Sequence, residues 1–242
     1  MNYVDKLNLT QDQNRRFAKM NLTRLVFTNS RFEGLTTTLP QTQTIIDGLG
    51  VDGVSIDDIN VIVQLKRGWE FVTNSDEPID LTTAKKINQI VARDQLLAPG
   101  ELRTGQRLVM TTKGDFVPPS VDEAKEIAYL KDLEADTNRS ATERSIELMY
   151  HLMRNQVFWD GNKRTATLLA NKMMIDHGKG LINIPVDKWS TWNQLIADYY
   201  HSGNMNKLKQ WTYNNGVQGI SQQPERKKAH NRIVAPERNL KR

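Results

Sequence analysis

The chain has 242 residues, 38% hydrophobic and 25% charged, enough for a domain with its own core, and it contains no run of about 18 apolar residues that would span a membrane. It has no Cys, which excludes disulfides and thiolate metal sites, and the segment MNYVDKLNLTQDQNRR lacks an apolar signal core, so the expected location is cytoplasmic. The net charge of +5 is concentrated at one end: Ser221 to Arg242 carries seven Lys or Arg against two Glu, leaving 26 basic and 26 acidic residues elsewhere. Nucleic-acid binding is therefore expected only through that basic tail, which reads as a flexible, solvated end.

In chain order, Phe17, Met20, Leu25 and Phe27 fit a helix from Asn14 to Phe32, closed at Glu33-Gly34. A Thr-rich connector, Thr36 to Pro40, leads to a short helix from Gln41 to Leu49. Ser55, followed three residues on by Asp58, starts another helix that runs to about Val72, and Asp80 opens one with Ala84, Ile87, Ile90 and Val91 on a single face. Beyond Pro99-Gly100 the pattern changes. Arg107 to Thr111 and Asp115 to Val117 are short β-prone runs around Thr112-Lys113-Gly114, a hairpin ended by Pro118-Pro119. Ser120 with Glu123, and Ser140 with Glu143, are expected to cap the next two helices. Ala166, Leu169, Ala170, Met173 and Met174 mark a helix apolar around much of its circumference, as expected of an element at a domain centre. Two more helices follow, around Trp189 to Tyr200 and Met205 to Tyr213.

Chemistry is concentrated between the segments ending at Val157 and beginning at Lys163. Phe158-Trp159-Asp160-Gly161-Asn162-Lys163-Arg164 is a Gly-Asn turn that leads into a helix. Such a turn offers backbone N–H groups, a helix N-terminus and two cations to a phosphate, with a carboxylate at hand for a metal.

This stretch resembles the core motif of the Fic (Fido) family, H-P-F-x-[DE]-G-N-G-R-x-x-R. Pro99 to Pro119 is similar to the family's flap region, and Asn29-Ser30-Arg31-Phe32-Glu33-Gly34 looks like its N-terminal inhibitory motif, [ST]-x-x-x-E-[GN]. The resemblance implies an all-α helical bundle with one small β-hairpin flap. It also implies transfer of AMP from ATP to a hydroxyl of a protein target, with Mg²⁺. By this resemblance Asp160 holds the Mg²⁺, Gly161, Asn162, Lys163 and Arg164 bind the nucleotide, Phe158 anchors the loop and Glu33 is regulatory. The target would dock along the flap at 107–117, and an antitoxin is a further implied partner. The expected division is an N-terminal helical part at 1–98, a core at 99–220 and the tail at 221–242.

Of the sequence's departures from the motif, two bear most on the chemistry. Gln156 stands where the family has its His, and an amide has no useful basicity near neutral pH. Thr167 stands where the last Arg grips the γ-phosphate, which deprives Glu33 of its usual partner and leaves Arg164 or Lys163 to replace it. Lys163, in place of the motif Gly, leans toward the phosphate-transferring Doc branch. Three readings stay open: an adenylyltransferase with weakened, altered or lost activity, a Doc-like phosphotransferase, and a non-catalytic nucleotide- or peptide-binding module. His151 is no replacement base, lying about 140° around the helix from Gln156. It is expected to pair at the surface with Glu on the stripe Glu143, Glu147, His151. His177 suits a helix C-terminus, and His201 and His230 have no motif around them.

Overall fold

The computed structural model describes residues 3–95 and 98–220; the basic tail at 221–242 lies outside the described residues. The N-terminal helical segment is two helices rather than one. Thr10 Oγ1 accepts from Gln13 N at 3.1 Å, and Gln13 Oε1 accepts from Thr10 N at 2.9 Å, which starts α1 (Gln11–Met20). The break falls at Asn21, whose side chain donates back to Phe17 O at 2.8 Å and competes with the helical ladder. Then come α2 (Leu22–Ser30), a 3-10 turn (Arg31–Glu33) and Gly34 at φ +75°. A second capping box, Thr38 with Gln41, begins α3 (Leu39–Ile46) two residues ahead of the expected start. Ser55 and Asp80 cap α4 (Ile56–Asn74) and α5 (Leu81–Val91) as expected.

The hairpin forms where the sequence placed it. Strands β1 (Val109–Thr111) and β2 (Gly114–Phe116) pair antiparallel, Val109 opposite Phe116. Helix α6 (Glu123–Ala135) is capped by Asp122, not Ser120: Asp122 accepts from Lys125 N at 3.2 Å, and Ser120-Val121 stays outside the helix after the two prolines. Ser140 caps α7 (Ala141–Asn155) as expected, accepting from Glu143 N at 3.0 Å. After the Gly-Asn turn comes α8 (Asn162–Asp176), followed by α9 (Trp189–Ser202) and α10 (Asn206–Asn215). Two-residue strands that the sequence did not signal, β3 (Leu181–Ile182) and β4 (Val217–Gln218), pair antiparallel.

All but two residues of α8, Lys163 and Asp176, are buried, and the helix packs against α1, α4, α5 and α7. The crossing with α4 is close: a Cβ on Gly68 would stand 2.6 Å from Leu168 Cδ1 and 2.8 Å from Val91 Cγ1. One apolar cluster runs through Trp69, Leu65, Ile87, Met149, Leu169 and Trp192. Burying such side chains supplies roughly 1.5–3 kcal/mol each against chain entropy. The result is an all-α bundle whose central helix presents its N-terminus beneath the hairpin.

Candidate functional site

The motif loop is held by three polar side chains, one of its own and two from distant parts of the chain. Asn162, buried, accepts from Phe158 N at 2.9 Å and donates to Phe158 O at 2.8 Å, so its amide is committed inside the loop. Asn88, on the buried face of α5, donates to Asp160 O at 2.8 Å and to Thr165 Oγ1 at 3.1 Å. Its oxygen accepts from Gly100 N at 2.9 Å. Arg103 donates from Nε to Gln156 O at 3.0 Å and from Nη2 to Pro119 O at 2.7 Å, while its backbone N–H donates to Val157 O at 2.9 Å. Sequence reasoning missed Asn88 and Arg103. The signals were there: an Asn within an otherwise apolar helix face, and an Arg beside the β-prone run.

Gly161 sits at φ +69°, and a Cβ there would meet Ala92 Cβ and Asn88 Nδ2, each at 3.2 Å. It precedes α8 without any side-chain cap, so the N–H groups of the first turn have no intrahelical partner and carry the positive end of the helix dipole. Asp160 is half-buried, and one of its oxygens accepts from Gly161 N at 2.7 Å. No three His, Cys, Asp or Glu side chains gather into a metal cluster among the described residues. A single carboxylate oxygen fits a hard cation that takes its other ligands from water and phosphate, as Mg²⁺ does.

The two cations of the motif part company. Arg164 is fully buried beneath the loop, donating to Val91 O and Gln95 Oε1. Its Nε stands 2.7 Å from Glu33 Oε1, an ion pair without hydrogen-bond alignment. Lys163 instead lines a cavity of about 300 Å³ beneath the hairpin, with Met110, Thr111, Asn193, Ile196 and Tyr200. Burial holds the Lys163 pKa below the ordinary lysine value; Glu33 opposes that shift and Arg107 adds to it.

Gln156 ends α7 at φ +49°, the only non-glycine residue with positive φ among the described residues, a conformation that costs roughly 1–2 kcal/mol. It is buried, and its amide donates to Met153 O at 2.6 Å. The buried Tyr200 hydroxyl lies near Gln156 yet makes no hydrogen bond of normal geometry. Thr167 Oγ1 is likewise buried and unpartnered.

His151 does not pair with its own stripe. Its Nε2 lies 2.8 Å from Glu126 Oε2 of α6, and its ring stacks on Tyr129 at 3.6 Å, while Glu143 and Glu147 bind Lys209. The side chain of α6 wins because it approaches from across the helix interface, where the i−4 Glu points toward α10. His177 is the C-cap of α8, as expected. His201, which had no motif around it, reaches the hairpin: its Nε2 is 3.2 Å from Thr111 Oγ1. The hairpin is anchored on α9 by Phe116 against Tyr200, ring centroids 5.1 Å apart, and by Lys113 paired to Asp198.

A helical bundle with a flap over the N-terminus of its central helix is the architecture of Fic-domain proteins. A Fic-domain-containing signalling protein from Bacteroides thetaiotaomicron superposes with a TM-score of 0.70 at 19% identity, over 85% of this chain and 88% of that one. Fic-1 from Caenorhabditis elegans gives 0.68 at 22% identity, over 84% and 62%. Residues 78–174, about two fifths of the chain, match the Fic/DOC family. In sequence it is 27% identical over 178 residues to the protein adenylyltransferase Fic of Drosophila melanogaster, covering 70% of this chain and 34% of that protein. It is 28% identical over 200 residues to protein adenylyltransferase fic-1 of C. elegans, covering 76% and 37%. The chain thus spans about a third of the length of the curated relatives it matches.

Proposed function

We propose that the chain is a nucleotide-binding protein of the adenylyltransferase type, using ATP and Mg²⁺, whose transfer step lacks its general base. The observation that carries this is the pairing of an uncapped α8 N-terminus, with Lys163 and Asp160 beside it, with an amide at Gln156. The nucleotide phosphates lie on the N–H groups of the α8 first turn, with Gly161 admitting the close approach and Lys163 neutralising charge. Asn162 serves by shaping the loop. Asp160 holds the Mg²⁺, which when bound supplies charge neutralisation to the phosphates. A protein target docks along 107–117, where Leu108 and Met110 are exposed on a free strand edge.

Gln156 cannot take the proton of an attacking hydroxyl, and loss of a general base costs on the order of 10²–10⁴-fold in rate. Its left-handed backbone also suits His, one of the residues tolerated there. The expected result is therefore Mg²⁺-dependent ATP binding with weak or absent transfer. Calorimetry with ATP and Mg²⁺, then Gln156→His assayed with labelled ATP on a cell lysate, tests it. Labelling by the variant alone is expected; no heat at millimolar ATP would sink the reading. Glu33 acts as a regulator by occupying Arg164, which a phosphate could engage only by displacing the carboxylate. A Doc-like phosphate transfer is the second reading, favoured by Lys163 and by the small Thr167 in place of Arg.

A further inference from the structure

One side of the site holds two cations that form no ion pair among the described residues. Arg107, half-buried where the chain rises into the hairpin, donates to the carbonyl of Trp159. That bond sets its guanidinium on the motif loop, one residue before Asp160. Lys163 projects from the first turn of α8 into the cavity beneath the same hairpin. Among the described residues neither has a carboxylate within ion-pair distance, although fifteen such pairs form elsewhere. Glu33 is in electrostatic range of Lys163, but its carboxylate is paired to Arg164. Tyr200, 2% exposed, also lines that cavity, and its buried hydroxyl, near Gln156, makes no hydrogen bond of normal geometry. Arg107 and Lys163 lie within electrostatic range of each other, and two like charges so placed cost free energy until an anion arrives.

We infer that Arg107 joins Lys163 in a two-cation clamp on the polyphosphate of the nucleotide, supplying from the hairpin the guanidinium that Thr167 does not supply from α8. The inference rests on the nucleotide-binding reading given above. Its ligand class is an extended phosphate chain, because the two cations come from different elements, the approach to the hairpin and the first turn of α8, and a fork and a point charge together span more than one phosphate. Lys163, held below the ordinary lysine pKa by burial, with Arg107 a further contribution, regains its proton affinity when an anion sits between them.

Arg107→Gln keeps a donor for the Trp159 carbonyl and removes the charge; Arg107→Lys keeps the charge and removes the fork. The probes are inorganic tripolyphosphate, ATP and AMP, titrated calorimetrically against the whole chain with each variant's melting curve recorded. Arg107→Gln is expected to weaken tripolyphosphate and ATP by about tenfold or more, the worth of one charge-assisted bond, with AMP changed far less and Arg107→Lys intermediate. Lys163→Met is expected to weaken the same two ligands, with the double variant losing less than the two single losses combined. If the wild type binds ATP and Arg107→Gln binds ATP and tripolyphosphate as tightly, the clamp is wrong while the nucleotide reading stands. Equal losses for AMP and tripolyphosphate would reduce Arg107 to a loop brace and also overturn the clamp. If the wild type binds none of the three, both readings fall together.

Discussion

Two sides of the motif loop treat polar groups in opposite ways. On the inner side, Asn88, Asn162 and Arg103 pair with backbone and hydroxyl groups from four separate segments, and Arg164 is enclosed by Val91 O, Gln95 and Glu33. On the outer side, Lys163 and Tyr200 line a cavity and Arg107 sits on the Trp159 carbonyl, with no carboxylate in ion-pair distance of either cation and no hydrogen bond of normal geometry to the Tyr200 hydroxyl. Saturated polar networks specify a shape; unsaturated ones reserve a place for something else. The motif's residues are divided between these two tasks. Neighbours in sequence, Lys163 and Arg164, fall on opposite sides because successive helical positions point about 100° apart.

Substitutions on each side should therefore differ in kind. The largest effect is expected from Asn88→Ala, which strands Gly100 N–H, Asp160 O and the Thr165 hydroxyl; urea unfolding should record a loss of about 3 kcal/mol. An unchanged midpoint would mean that water replaces Asn88, and the inner side would not be the rigid one. Asp160→Asn keeps an acceptor for Gly161 N and loses the charge. Its stability should hardly change, while ATP affinity in Mg²⁺ falls by about tenfold toward the value in chelator.

Glu33→Gln tests the one contact that ties the inner side to regulation. Freed of its carboxylate, Arg164 becomes available to phosphate, and ATP affinity is expected to rise by about fivefold, measured by calorimetry. A fall instead would make Glu33 a structural support.

The smallest effect concerns Lys163. Its folded pKa is lowered by burial, so between that value and the ordinary 10.5 the unfolded chain binds more protons than the folded one, and stability rises with pH. Below the folded pKa the charged, desolvated amine is a constant cost. Lys163→Met is thus expected to stabilise the protein at neutral pH by about 0.5 kcal/mol and to flatten the alkaline rise, read from melting curves across pH.

Local signals in the sequence located much of this. Ser55, Asp80 and Ser140 each cap within three residues of their own position, and the hairpin is marked by β-prone runs around a Gly turn. What stayed hidden is long-range or competitive. Arg107 meets the Trp159 carbonyl across 52 residues and Asn88 meets Asp160 across 72, separations that carry no periodic trace. Between Ser120 and Asp122 two caps competed, and between Glu147 and Glu126 two partners for His151 did; packing against α7 decided the second pair. The motif placed Asp160 and Lys163 at the loop, but only the fold separates Arg164 from them.

The burial of α8 has a kinetic consequence. Because this helix touches α1, α4, α5 and α7 along its length, its interior amides can exchange with solvent deuterium only when much of the molecule opens. The amides of Asn162, Lys163 and Arg164 belong to an uncapped first turn and should exchange orders of magnitude sooner. One continuous helix would then show two exchange regimes with a boundary near Thr165, and a phosphate at its tip would erase that boundary by slowing three amides alone.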